Sequence, residues 1–249
     1  MIYLKVLKKI LVDSQLFVSL SGTLFSVFFM LEQNTFRFQL VALIFITYFN
    51  GYLYTKYQNS NFYFKMLGIC TVLGGVCLFL LIQLNSLNLA LKWLFIVALG
   101  LAYNSKFLDA YIRKLPLIKV FYVGLVWALV NGWLINETFE FVHFLISLLF
   151  ITALVLPFDI RDMKNDKIIT FPIAFGISFT KKLGYLLLFM SVVLAQIFLD
   201  YTFFLPLLLS SFCAGILLYY SENSRQDWYF SVLVESCSIL PLLFLILLK

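Results

Sequence analysis

Asp159, Asp162 and Asp166 fall within the stretch Leu156-Pro157-Phe158-Asp159-Ile160-Arg161-Asp162-Met163-Lys164-Asn165-Asp166-Lys167, directly after a long apolar run. At about 100° per residue, Asp162 lies roughly 60° from Asp159 and Asp166 lies between them. The three carboxylates therefore share one helical face, while Arg161, Lys164 and Lys167 fan out on the other. Like charges on one face repel. A hard divalent cation bound by carboxylate oxygens compensates them, and Mg²⁺ shared with substrate phosphates is the usual form of such a site. The plain alternative is a solvated, salt-bridged helix end. At the mouth of a membrane bundle the balance tips towards function.

That setting follows from composition. The 249 residues are 63% hydrophobic and 12% charged, with a mean hydropathy of +1.01. Such a chain is an all-α integral membrane protein, too apolar for a soluble domain. Nine apolar segments have lengths near the ~20 residues a bilayer needs: roughly 12–31, 39–56, 66–84, 87–104, 117–135, 141–158, 184–200, 203–221 and 228–248. No polar stretch is long enough to fold alone, so residues 1–249 read as a single membrane-embedded domain. Ahead of the first segment, Leu4, Leu7 and Leu11 oppose Lys5, Lys8 and Lys9, which suggests an amphipathic helix lying on the membrane surface. The four cysteines lie inside apolar runs without zinc-site spacing and read as packing residues.

Loop charges set the expected orientation. With the N-terminus inside, the inner segments hold Lys5, Lys8, Lys9, Lys56, Lys65, Lys106, Arg113, Lys114, Lys119, Arg161, Lys164, Lys167, Lys181, Lys182 and Arg225, which is 15 of the 18 basic residues. Arg37, Lys92 and Lys249 remain outside. This positive-inside bias puts the carboxylates on the cytoplasmic side. The +6 charge therefore follows membrane topology and does not point to a nucleic-acid partner. The inner loops after segments two, four and six are the longer or more charged ones, and short interfacial helices are expected there as a cap.

In span count, orientation and motif order the chain resembles the UbiA superfamily of intramembrane prenyltransferases. Asp159-x-x-Asp162-x-x-x-Asp166 looks like that family's second aspartate-rich motif, and Thr170-Phe171-Pro172 with Phe175-Gly176 like the end of its cap loop. Arg113-x-x-Pro116-x-x-Lys119 running to Trp127 looks like its loop after span four. The resemblance implies a nine-transmembrane-helix bundle with a cytoplasmic cap and a lateral, lipid-open cavity, in the cell inner membrane. A polyprenyl diphosphate would bind through Mg²⁺ held by Asp159, Asp162 and Asp166, lose its diphosphate, and pass the prenyl group to an acceptor, an aromatic one in the family's pattern. The membrane lipids are the other expected partners.

The family's first motif, NDxxDxxxD, would fall on Asn50 to Gln58. Asn50 matches, but Gly51, Tyr54 and Gln58 stand at the acidic positions. With Tyr54 and Tyr57 near the Asn50 face, this reads as a tyrosine-lined wall opposite the carboxylates, and one Mg²⁺ rather than two is expected. Lys106, Arg113 and Lys119 are candidates to hold diphosphate oxygens, against the plain reading as topology charges. Glu235, inside the ninth segment, is a site candidate by default or a packing residue near Ser231 and Ser238. Asn131 and Gln196 read as helix-joining polar groups, and His143, near the outer surface, has no assigned role. Two other functions compete with transfer: a non-catalytic isoprenoid- or lipid-phosphate-binding protein on the same fold, and a small-solute transporter.

Overall fold

The computed structural model describes residues 15–58, 60–104, 117–164 and 168–248. Among them the chain forms nine α-helices and two π-helical segments: α1 (Leu16–Glu32), α2 (Phe38–Tyr57), α3 (Tyr63–Leu84), α4 (Leu87–Asn104), α5 (Ile118–Leu129) continued by a π segment (Val130–Leu134), α6 (Phe141–Asp162), α7 (Phe171–Phe198), α8 (Tyr201–Tyr219), a second π segment (Tyr229–Val234) and α9 (Leu240–Leu247). Five of them (α2, α3, α6, α7 and α8) are long and apolar enough to cross a membrane, the pattern of a multi-pass membrane protein. Their outward faces are apolar too: Phe64 is 82% exposed and Ile82 75%. Such surfaces suit lipid rather than water. The amphipathic segment at 1–14 and residues 105–116 of the second expected cap loop lie outside the described residues; the first expected loop is the end of α2 and a short turn, and much of the third lies within α7.

One hydrophobic core runs through the helices, centred on Phe25, Phe28 and Phe29 of α1, Leu43 and Ile44 of α2, and Ile146 and Phe150 of α6. Phe25 stacks on Phe150 with ring centroids 5.3 Å apart. Between α5 and α6 the backbones come very close. A Cβ on Gly132 would sit 2.5 Å from Phe144 Cβ and 2.8 Å from its backbone nitrogen. The neighbouring residue turns this contact into a polar knot: Ser26 Oγ donates to Asn131 Oδ1 at 2.7 Å and Asn131 Nδ2 donates to Ser147 Oγ at 2.7 Å. All three residues are buried. In lipid each such group must find its partner inside the protein, so Asn131 fixes the mutual register of α1, the first π segment and α6. Beyond this knot Lys92 closes the end of the first π segment, its Nζ donating to the carbonyls of Asn136 and Glu137 at 2.8 Å each and of Trp133 at 3.3 Å. These are the orphan acceptors of a terminating helix.

Two segments differ from the sequence expectation. The seventh was expected to start at 184, with Lys181 and Lys182 in a loop; both lie inside α7 instead. The helix is broken at Gly176, whose φ of 83° and ψ of 163° belong to a region essentially reserved for glycine. Thr180 Oγ1 donates to the Gly176 carbonyl at 2.9 Å. Lys181 Nζ reaches the Tyr219 carbonyl at 2.5 Å, so its charge snorkels while its stem packs. The ninth segment is discontinuous, with turns at Cys237–Ile239 before Pro241 starts α9. Proline has no N–H to give and favours a helix's first turn. The carbonyls left free by the break are taken by side chains, Ser236 Oγ donating to Leu233 at 2.7 Å and Ser238 Oγ to Glu235 at 2.8 Å.

Because the atoms facing Gly132 are the Cβ, Cα and backbone nitrogen of Phe144, all fixed by the α6 backbone, they cannot move aside. Gly132→Ala should lower stability by roughly 1–3 kcal/mol or more through overpacking. Gly74→Ala, with open space around the new methyl, should change it by less than about 0.5 kcal/mol. Thermal unfolding of the detergent-solubilised variants checks the contrast.

Candidate functional site

Asp159 lies in the last turn of α6 and Lys119 in the first turn of α5. Lys119 Nζ stands 3.2 Å from Asp159 Oδ1, with the Asp159 side chain 2% exposed and that of Lys119 20%. Helix pairing puts them together. The α5–α6 contact is tight, and the two starts of α5 and α7 are tied by the Leu117 N–H donating to the Ile169 carbonyl at 3.1 Å. A carboxylate this deep needs a cation or several donors to remain charged, and Lys119 supplies one. Asp162 meets its own neighbour: Arg161 donates from Nε at 2.7 Å and from Nη2 at 2.9 Å. The same guanidinium lies over the rings of Phe158 and Phe230, at 5.2 and 5.7 Å from their centroids. Arg161 was expected to turn away from the carboxylates. It folds back instead, because its planar fork matches a carboxylate and its flat face matches the aromatic rings.

The other sequence-predicted wall belongs to a different space. A cavity of about 530 Å³ opens between α2, α3, α4 and α5. Of residues 47–55 on α2, all but Phe49 and Leu53 line it. Asn50 and Tyr54 are therefore in its wall, whereas Tyr57 is not among the lining residues. Neither are Lys119, Asp159 and Asp162. The expected single cleft, with carboxylates facing Asn50, Tyr54 and Tyr57, is not what these residues form: the carboxylates have turned to basic side chains at the helix ends. Lys106, Arg113 and Asp166 lie outside the described residues.

The connection between the two places is α5. Lys119 sits one turn before Val123, and Val123, Trp127, Val130 and Leu134 continue that stripe along the cavity wall. The ion pair thus stands at one end of a cavity-lining stripe. The walls themselves are mainly apolar and aromatic. Tyr48 and Trp127 pack with centroids 5.2 Å apart, held where Gly22 lets both approach α1. Trp127 Nε1 donates to Tyr52 Oη at 3.1 Å, Trp93 Nε1 to Thr47 Oγ1 at 2.7 Å, and Tyr122 Oη to the Leu99 carbonyl at 2.7 Å. Tyr103 stacks on Tyr122 at 5.1 Å. Leu67 and Leu101, 38% and 46% exposed, stand on the rim, so the cavity opens sideways between helices. Two polar atoms in the wall lack hydrogen-bond partners among the described residues: Asn50 Oδ1 and the Tyr48 hydroxyl, which lies near Ser26 without hydrogen-bond geometry. Asn50 Nδ2 is occupied, donating to the Cys70 carbonyl at 3.0 Å.

The tyrosine and tryptophan wall has its own sequence signal, the four-residue spacing of Ile44, Tyr48 and Tyr52, and of Val123 and Trp127, on a different face of α2 from the one the aspartate motif's alignment marks at Asn50. His143, to which no role was given, pairs with Glu32 at 2.7 Å. Gln196 is exposed on α7 rather than joining helices. No family model, curated protein or solved structure matches the chain.

As placed, Asp159 and Asp162 each face a basic side chain of the chain itself rather than an open cation site, and no three His, Cys, Asp or Glu come together among the described residues. Lys119→Met should therefore expose the cost of an uncompensated buried carboxylate, about 2 kcal/mol for a pair whose lysine is partly exposed. Adding Asp159→Asn should return most of the loss. Thermal unfolding midpoints of the single and double variants measure the coupling, and an unchanged midpoint for Lys119→Met would contradict it.

Proposed function

We propose that the protein handles a polyisoprenoid lipid within the membrane as a UbiA-like prenyltransferase, taking a polyprenyl diphosphate with its chain in the cavity between α2 and α5. On this reading the chain folds as nine transmembrane segments with the Asp159 end in the cytoplasm. The cavity is the observation that carries the lipid part of the proposal. It is apolar, opens sideways, and among the described residues has no charged side chain in its lining, which suits a hydrocarbon chain entering from the bilayer. The diphosphate would then stay at the Asp159 end, where Lys119 begins the cavity-lining stripe. The transfer part rests on the resemblance of the aspartate motif. In that reaction the allylic C–O bond breaks, diphosphate leaves, and the acceptor bonds to the allylic carbon and gives up a proton. The dry aromatic walls keep water from the reactive carbon. Mg²⁺, which the resemblance implies, would bind the aspartates only if Asp159 left Lys119.

A specific observation favours the second reading, an isoprenoid- or lipid-phosphate-binding protein without turnover. Asp159 and Asp162 are already compensated by Lys119 and Arg161, and Gly51, Tyr54 and Gln58 stand where the family's first motif has its carboxylates. One experiment separates the two readings. Purified full-length protein in nanodiscs is given geranyl to long-chain polyprenyl diphosphates, with and without Mg²⁺, and both retained lipid and released pyrophosphate are measured. Transfer predicts pyrophosphate above the protein-free control; holding predicts saturable retention and no release. Neither retention nor release would overturn both.

A further inference from the structure

Asn50 differs from the rest of the cavity wall in how its hydrogen bonds are used. Its side chain reaches from α2 to α3, where Nδ2 donates to the Cys70 carbonyl at 3.0 Å. Cys70 Sγ in turn donates to the Asn50 carbonyl at 3.9 Å, so the two residues hold each other in place. A backbone carbonyl can only accept, so the nitrogen end of the carboxamide must face Cys70 and the oxygen end is left over. Oδ1 is buried and has no donor among the described residues. An amide oxygen has no proton of its own to place elsewhere, and only an incoming donor satisfies it. Space for one lies alongside. Gly51 follows Asn50 on α2 and Gly74 stands one turn beyond Cys70 on α3; both line the cavity, and a Cβ at either would meet nothing within 4 Å.

The rest of the cavity narrows what can bring that donor. On α2 the lining runs from Ile44 to Thr55, roughly 16 Å at 1.5 Å per residue, with Asn50 near its middle. Towards Ile44 the walls are apolar and closed, with Ile44, Cys77, Ile96 and Leu134 all buried. A charged head at Asn50 would lie in that interior without a counter-ion, because among the described residues no Asp, Glu, Lys or Arg lines the cavity. An amide or a protonated acid brings a carbonyl along with its donor. The N–H groups of the wall that could meet it are taken: Trp93 Nε1 donates to Thr47, Trp127 Nε1 to Tyr52 and Asn50 Nδ2 to Cys70. A hydrocarbon or an ether brings no donor at all. A single hydroxyl on an apolar chain supplies the missing proton and little else that needs a partner.

We propose that the cavity binds an uncharged long-chain alcohol, its hydroxyl donating to Asn50 Oδ1 and its chain lying along the apolar wall. The site does not rest on prenyl transfer; it requires only the cavity and the Asn50 carboxamide. The apolar walls supply affinity for the chain, and the unfilled acceptor selects a hydroxyl.

The test compares dodecanol with its methyl ether, which keeps the chain and an acceptor oxygen but has no proton to give. Full-length protein in nanodiscs is photolabelled with a dodecanol carrying a diazirine in its chain, and labelled peptides are quantified by mass spectrometry. Labelling should fall on the cavity-lining segments of α2 to α5. Unlabelled dodecanol should suppress it at about a fivefold lower membrane mole fraction than the ether, the worth of one net hydrogen bond. Dodecanoate and dodecylammonium should compete no better than the ether. Asn50→Leu, which keeps the bulk and removes the acceptor, should bring dodecanol to the ether's level and leave the ether unchanged. The comparison of alcohol and ether on the wild-type protein decides the matter even where that variant folds poorly. Equal competition by the two, stronger competition by either ion, retention of the preference in Asn50→Leu, or labelling confined to lipid-facing residues outside the cavity would each overturn the proposal. None of these outcomes reads pyrophosphate release, so this site and the transferase reading stand or fall separately.

Discussion

The contact between Asp159 and Lys119 decides how this end of the molecule is built. A carboxylate with its side chain 2% exposed at the end of an apolar helix cannot stay charged alone. Its cation comes from α5, the next helix in the packing order. Drawing Lys119 onto Asp159 fixes where α5 starts against α6, and from that start the Val123–Trp127–Val130–Leu134 stripe is committed to the cavity. The backbone link from Leu117 to Ile169 ties α7 into the same corner. A single electrostatic requirement thus sets the helix register on which the cavity depends. It also uses the charge that a diphosphate or a metal would otherwise claim.

The same rule, that polar groups inside a membrane protein must find partners there, explains the rest of the architecture. At the opposite end, Lys92 takes three carbonyls that helix termination leaves open. In mid-bundle, Asn131 bonds Ser26 and Ser147. In the ninth segment, Ser236 and Ser238 bond the carbonyls freed where the helix breaks. Against this background the exceptions carry information. Among the described residues Tyr48 and Asn50 in the cavity wall keep atoms unpartnered, as do Ser21, Thr152 and Ser211 elsewhere in the bundle. The two in the wall lie where a ligand can satisfy what the chain does not.

Hydropathy alone places the helices well, because length and apolarity are what a bilayer selects. The spans expected at 39–56 and 87–104 appear as Phe38–Tyr57 and Leu87–Asn104. A charge is not always a boundary: Lys181 and Lys182 lie within α7, since a lysine stem can pack along a helix while its ammonium reaches a carbonyl. The break in the ninth segment was written in Pro241 and the Ser-Cys-Ser run before it, a local signal overshadowed by apolarity. The candidate site was less legible. Periodicity put Asp159 and Asp162 on one face and Arg161 on another, but it cannot see that Lys119, forty residues earlier in the chain, will stand beside Asp159. Nor can it foresee that a long side chain will fold back onto its neighbour. The cavity wall depends on how α2 to α5 lean together, which side-chain spacing on any one helix does not determine.

The most direct measurement fills the cavity from a position that tolerates it. Gly74 lines the cavity and Gly75 does not, and a Cβ at either would meet nothing within 4 Å. Gly74→Trp and Gly75→Trp are compared for saturable binding of a radiolabelled long-chain polyprenyl diphosphate to the purified protein in nanodiscs. If the chain occupies the space between α2 and α5, Gly74→Trp loses binding at least about tenfold, the consequence of removing roughly 1.4 kcal/mol of contact, while Gly75→Trp binds as the unmodified protein does. Equal binding by the two variants would contradict the assignment of the lipid to this cavity.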